Sequence, residues 1–184
     1  MTDVTDVDAV SDVTEAAAAA EPVRQRLVTW QDPALTAAGM VGRSGVEFLR
    51  AIASGELPQP PISHLVGMGI ESVEEGRVVF TLDTGEHQYN PIGSIHGGIF
   101  ATILDSVLGC AVHSSQPAGR GYTTLELKVS YIRPLTTAVR RVKAVGEVIS
   151  AGRRVATAEG RIVDDEGRLY AHATTTCLLF DVPA

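Results

Sequence analysis

Apolar and polar residues alternate along much of the chain, and one long apolar stretch interrupts the alternation. From Arg77 to Asp83, Val78, Phe80 and Leu82 fall on one face, the two-residue period of a strand. Thr123 to Arg133 alternates as well, with Leu125, Leu127, Val129 and Tyr131 facing one way and Glu126, Lys128 and Ser130 the other. Val139–Ile149, Arg153–Val163 and Arg168–Phe180 are three further β-rich runs. Ser150-Ala151-Gly152 and Asp164-Asp165-Glu166-Gly167 separate them as hairpin-type turn signals. Between the first and second of these five strands, Gly97 to about Ser115 is apolar nearly all round, which predicts a helix buried on nearly every side. One helix followed by four consecutive strands predicts an α+β fold, in which an antiparallel sheet packs on a single long helix. A sheet curled around that helix would bury it.

Upstream the texture differs. Ser44 is placed to cap a short helix whose apolar positions are Val46, Leu49, Ile52 and Ala53, and Leu57-Pro58-Gln59-Pro60-Pro61 is expected to stop it. Three segments are therefore expected. Residues 1–20, acidic and alanine-rich, read as a solvated, disordered tail; 21–60 form a partly helical N-terminal arm; 61–184 form the main domain.

Composition narrows the function. The 184 residues carry a formal net charge of -7 and are 45% hydrophobic, enough for one domain with a real core. An acidic chain, with a sequence pI near 5.2, lacks the basic footprint of a nucleic-acid binder. No apolar run reaches the roughly 18 to 20 residues of a membrane span. No basic n-region and apolar h-region opens the sequence, so neither a secretory signal nor a membrane partner is expected. Cys110 and Cys177 sit in apolar runs without CxxC spacing, as buried reduced residues of a cytoplasmic protein would.

Three polar residues interrupt the apolar helix. Thr102, Asp105 and Ser106 are spaced i, i+3 and i+4 and share one face, with Gly98 on the same stripe. The hydroxyls of Thr102 and Ser106 can bond back to a carbonyl four residues earlier. Asp105 is mid-helix and cannot be an N-cap, and a buried unpaired carboxylate costs several kcal/mol. It is kept either for chemistry or for an ion pair with an arginine. The helix start, Asn90-Pro91-Ile92-Gly93-Ser94-Ile95-His96-Gly97-Gly98, carries two glycines in its first turn. They expose backbone N–H groups at the positive end of the helix dipole, a setting suited to an oxyanion or a polarised carbonyl, unless the loop simply needs its glycines. His96 is placed to orient the loop or to donate to that carbonyl.

Gly98 to Asp105 spans seven rises, about 10 Å along the axis. A water attacking a carbonyl sits about 3 Å from its carbon, so one helix cannot supply both groups to one substrate. If both serve one reaction, a second copy of the helix runs antiparallel beside the first, which predicts a two-fold dimer with two composite sites. Other motifs fail. Gly67-Met68-Gly69-Ile70-Glu71-Ser72 lacks the third glycine of a dinucleotide fingerprint, Gly93-Ser94-Ile95-His96-Gly97 has its serine in the wrong place for a nucleophile elbow, and the five histidines form no HxxxH or HxH pair, so no metal site is expected.

Asn90, His96-Gly97-Gly98, Asp105 and Thr124-Leu125-Glu126-Leu127-Lys128-Val129-Ser130-Tyr131-Ile132-Arg133-Pro134 resemble the hotdog-fold acyl-CoA thioesterases of the phenylacetate-pathway (PaaI) type, over about residues 60 to 180. The resemblance implies that the Gly97 N–H polarises the thioester carbonyl, that Asn90 and His96 orient thioester and loop, and that Asp105 of the partner subunit acts as general base or nucleophile. It also implies that Thr124 helps hold the attacking water. Gly98, Thr102 and Ser106 would line the substrate. A hotdog homodimer, commonly paired into a tetramer, follows, with no metal or redox cofactor. Coenzyme A would lie at the subunit boundary, near Arg120, Lys128, Arg153 or Arg154. Two other readings of the same pattern are a non-catalytic acyl-CoA-binding hotdog module and a hotdog hydratase or dehydratase.

Overall fold

The computed structural model describes residues 22–182; the expected acidic tail lies outside them. Three short helices open the described chain: α1 (Pro33–Ala38), α2 (Gly45–Ser54) and α3 (Pro61–Val66). The strands β1 (Met68–Glu74) and β2 (Arg77–Asp83) follow, then the long helix α4 (Gly97–Ser114) and the strands β3 (Arg120–Tyr131), β4 (Arg141–Ala151), β5 (Val155–Val163) and β6 (Leu169–Asp181). All six strands join one antiparallel sheet in the order β1-β2-β4-β5-β6-β3. The two edges are thus β1 and β3.

The sheet wraps α4, which packs against every strand. Ile103, Leu104, Val107, Leu108, Ala111 and Val112 are fully buried, as an all-round apolar helix requires. At the centre of the sheet the approach is closer than side chains allow. Gly146 of β4 pairs with Gly160 of β5. A Cβ at Gly146 would lie 2.7 Å from the carbonyl oxygen of Val107, and one at Gly160 would lie 3.0 Å from Leu108 Cδ2. Gly146 thus lets the sheet bear directly on the helix backbone, and Gly160 makes room for the Leu108 side chain.

Ser44 caps α2 as expected, in a full capping box with Glu47. The helix ends earlier than the proline run, at Gly55, which takes the left-handed conformation (φ 81°). Its inward alanine is Ala51; Ala53 is exposed. Pro33 and Pro61 each start a helix instead of breaking one, since a first-turn proline gives up no intrahelical bond. The strand β1 has no counterpart in the sequence reading: a register shift between Ile70 and Ser72 breaks its alternation. A second bulge, between Thr124 and Glu126, overturns one expected face. It turns Leu125 outward, 61% exposed, while Leu127 and Val129 pack against the core.

Candidate active site at the start and middle of the central helix

The loop before α4 is built by Asn90. Its Oδ1 accepts the backbone N–H groups of Ile92 and Ser94, both at 3.1 Å, and its Nδ2 donates to Ser94 Oγ at 3.1 Å. Gly93 turns the chain at φ 81°. Ile95 N–H donates to the Leu135 carbonyl and His96 N–H to the Gln88 carbonyl, so both sides of the loop are tied to neighbouring segments. Asn90 therefore spends its amide on the loop.

His96 is the N-cap of α4. Its Nδ1 accepts the Gly98 N–H at 2.8 Å, which leaves the proton of the neutral ring on Nε2. A Cβ at Gly98 would lie 2.9 Å from that Nδ1. One free donor remains in this turn where two were expected: among the described residues Gly97 N–H has no acceptor. Tyr131 of β3 covers the same turn. Its hydroxyl donates to the Gly97 carbonyl at 3.1 Å, and its ring would meet a Cβ at Gly97 at 3.3 Å. Tyr131 also packs edge-on against Phe100. The alternation of β3 puts Tyr131 on one face with Leu127 and Val129, but nothing in the sequence indicates that it rests on the helix start.

One turn further along α4, the Thr102 hydroxyl donates back to the Gly98 carbonyl at 2.8 Å, as helical threonines do. Asp105 is half-buried, and Thr124 Oγ1 donates to its Oδ1 at 2.8 Å. Among the described residues no arginine, lysine or histidine bridges this carboxylate, so the expected alternative of an internal ion pair is not what holds it. Its surroundings are neutral. Burial pushes the Cys110 thiol up to about 12, with the nearby Asp105 charge adding to the effect. Burial likewise raises the Tyr122 hydroxyl, again with Cys110 and Asp105 contributing. Cys177, paired with Thr124 across the strands, is raised by burial as well. Neither thiol is suited to act as a nucleophile.

Ser106, beside Asp105, borders a cavity of about 460 Å³ between α4, the sheet and the N-terminal helices. His113 lies on the same wall, between the rings of Phe48 and Tyr122 at 5.7 and 5.5 Å, and burial lowers its pKa. Of the basic residues, Arg120 is engaged by Asp181 (2.6 Å) and by the Arg153 carbonyl, on the rim of a shallow pocket that Arg153 and Arg154 also line. Lys128 stands exposed on β3. The described residues contain no group of three or more histidine, cysteine or acidic side chains placed to hold a metal ion.

A family model described as the thioesterase superfamily matches residues 92–171, which include His96, Gly97, Asp105 and Thr124. A Halobacterium salinarum protein provisionally named an esterase is 32% identical over 103 residues, 53% of this chain and 66% of that protein, so the chain spans about two thirds of that relative's length. A 1,4-dihydroxy-2-naphthoyl-CoA hydrolase of Listeria monocytogenes is 24% identical over 62% of this chain and 92% of its own. The solved structure of a phenylacetic acid degradation-related protein from Ralstonia eutropha superposes with a TM-score of 0.64 at 27% identity, covering 71% of this chain and 98% of that one.

Proposed function

We propose that this chain, whose residues 92–171 match the thioesterase superfamily, is a hotdog-fold thioester hydrolase that cleaves an acyl- or aryl-CoA thioester to the free acid and coenzyme A. The observation that carries the reading is the Asp105–Thr124 pair. A half-buried carboxylate, free of any ion pair with the described residues, has one oxygen fixed by a hydroxyl and the other left without a partner. That is the disposition of a general base. In this reading Asp105 takes a proton from water as the water adds to the thioester carbonyl. The Gly97 N–H donates to the carbonyl oxygen as negative charge collects there. The tetrahedral adduct then collapses, the C–S bond breaks and coenzyme A leaves as the thiol, with the proton returning through Asp105. Asn90 and His96 keep the loop and helix start in place for this, and Thr124 orients the base.

Gly97 and Asp105 lie about 10 Å or more apart along one helix, so the site is completed by a partner subunit in a homodimer. The free edge of β3 supports this part of the reading: it is 12 residues long and carries the exposed Leu125 and Tyr131, with Ile132 beyond. A long, apolar, uncovered edge is a pairing surface. Two β3 edges laid together would bring the α4 helices side by side in opposite directions, and such dimers would pair further into a tetramer. Coenzyme A would lie at the boundary, its phosphates near Arg153 and Arg154. Two unbridged cysteines fit a cytoplasmic, reducing setting.

A panel of acyl- and aryl-CoAs assayed for thiol release tests the reading directly. Wild-type protein is expected to release thiol and Asp105→Asn to fail. Equal rates for both would remove Asp105 from the chemistry. Transfer of ¹⁸O from labelled water into Asp105 during a single turnover would replace the general-base route with nucleophilic attack by the same carboxylate. Light scattering checks the dimer, and a monomer that turns over at full rate would sink the composite site.

A further inference from the structure

Resting on that hydrolase reading, we infer that the 460 Å³ cavity is the acyl compartment of the site, and that the N-terminal arm, through Met40, Phe48 and Ile52, together with Ile62 of the adjoining α3, sets the length of uncharged apolar acyl group it takes. The arm lies outside the stretch that matches the thioesterase superfamily, residues 92–171.

The sheet order dictates where such a space can exist. Six strands wrap α4 but leave two edges, β1 and β3, which do not pair with each other. The seam between them would open the core helix to solvent. The arm closes it: α2 packs across both β1 and α4. It is held at two points. Gly45 N–H donates to the Gln116 carbonyl at 2.9 Å, where the Gly45 backbone abuts His113 so closely that a Cβ has no room. Arg50 donates to the Val73 carbonyl from Nε and Nη2 at 3.2 and 3.1 Å. Between this roof and α4 the cavity remains, of a size within the roughly 300–1,000 Å³ range of small-molecule sites.

The cavity begins where the proposed chemistry takes place. Its α4 wall is Ser106, Cys110 and His113, spaced i, i+4 and i+7 on one stripe, and Ser106 adjoins Asp105. Its β3 wall is Tyr122, two residues before Thr124 and so on the same strand face. No aspartate, glutamate, lysine or arginine lines it. Its polar lining is neutral: Thr36 Oγ1 donates to the Pro58 carbonyl at 2.8 Å, Gln59, Ser63, Ser106 and Tyr122 carry no charge, and burial between two rings holds the His113 pKa down. A carboxylated acyl group would therefore enter as a buried, unpaired charge, whereas a methylene chain or an unsubstituted ring gains by leaving water.

The test uses the full chain and two readouts. In calorimetric titrations with non-hydrolysable S-alkyl-CoA thioethers, affinity is expected to rise about fourfold per methylene until the cavity is filled, and then to level off. Phe48→Ala should move that plateau to longer chains. Ile62→Trp and Met40→Trp should move it to shorter ones, and Ile62 is 42% exposed, so its replacement does not threaten the fold. In thiol-release assays kcat/KM should follow the same order, with succinyl-CoA at least about tenfold below butyryl-CoA. Affinity and kcat/KM that ignore chain length, or a plateau that none of the three variants moves, would overturn the inference while leaving thioester hydrolysis intact. A length-dependent plateau that moves as stated in a protein releasing no thiol from any acyl-CoA would uphold the compartment and remove the hydrolase reading.

Discussion

Thr124 Oγ1 donates a 2.8 Å hydrogen bond to Asp105 Oδ1, joining an edge strand to the middle of the central helix. The bond fixes one carboxylate oxygen from a residue that lies immediately before a β-bulge. A bulge re-aims a side chain and ends regular pairing, so the placement of Thr124 depends on strand geometry as much as on its own chemistry. Asp105→Asn is expected to lower kcat by about 10²- to 10⁴-fold, the usual worth of a general base, with circular dichroism unchanged.

Thr124→Ala should cost less, about 10- to 100-fold in kcat/KM, the value of one hydrogen bond to a charged group. Thr124→Ser should recover most of it. Unchanged circular dichroism and an unchanged urea midpoint in both variants would separate positioning of the carboxylate from a loss of folding.

His96→Ala removes the Nδ1 acceptor of the Gly98 N–H. An N-cap deletion costs about 0.5–2 kcal/mol, readable as a lower urea midpoint. Activity should fall as well, since the same turn carries the free Gly97 donor.

Gly146→Ala sets two effects against each other. Replacing glycine gains about 0.4–1 kcal/mol by restricting the unfolded chain. The new Cβ would meet the Val107 carbonyl oxygen at 2.7 Å, and overpacking costs typically about 1–3 kcal/mol. The clash is with backbone, which cannot rotate away, so net destabilisation is expected in chemical denaturation. A more stable variant would show that the sheet can ease away from α4.

Asp164 gives the acid limb of stability. Burial alone would raise its pKa, but the Arg168 backbone N–H, the Arg168 side chain and the Tyr170 hydroxyl all donate to the carboxylate and hold it at about 2. A folded pKa below the unfolded value of about 3.9 means the contribution is present above about pH 4 and is lost as pH falls toward 2. Wild-type protein should lose stability through that window, and Asp164→Asn should show a flatter profile there, with lower stability at neutral pH.

How far the sequence can be read depends on the range of the interaction that fixes each element. The all-round apolar stretch from Gly97 specifies α4 and its burial because periodicity is local, and Ser44 with Glu47 specifies the start of α2 because a capping box spans only four residues. The positions of Asp105, Gly98 and Thr102 on one stripe follow from 100° per residue and nothing else. Alternation alone puts Leu125 on the wrong face because a bulge is decided by the partner strand, and it does not reveal β1 because that strand's own register shift hides its period.

The sequence by itself determined a buried helix bearing one carboxylate and a glycine-rich start, five of the six strands, and the absence of competing motifs. Only the tertiary structure decided that His96 consumes one of the two expected donors, that Tyr131 rests on Gly97, that Thr124 reaches Asp105 and that the arm closes the seam between β1 and β3. The first is a local cap that depends on the ring's rotamer; the others are contacts between segments remote in the chain, and no local period encodes a distance of that kind.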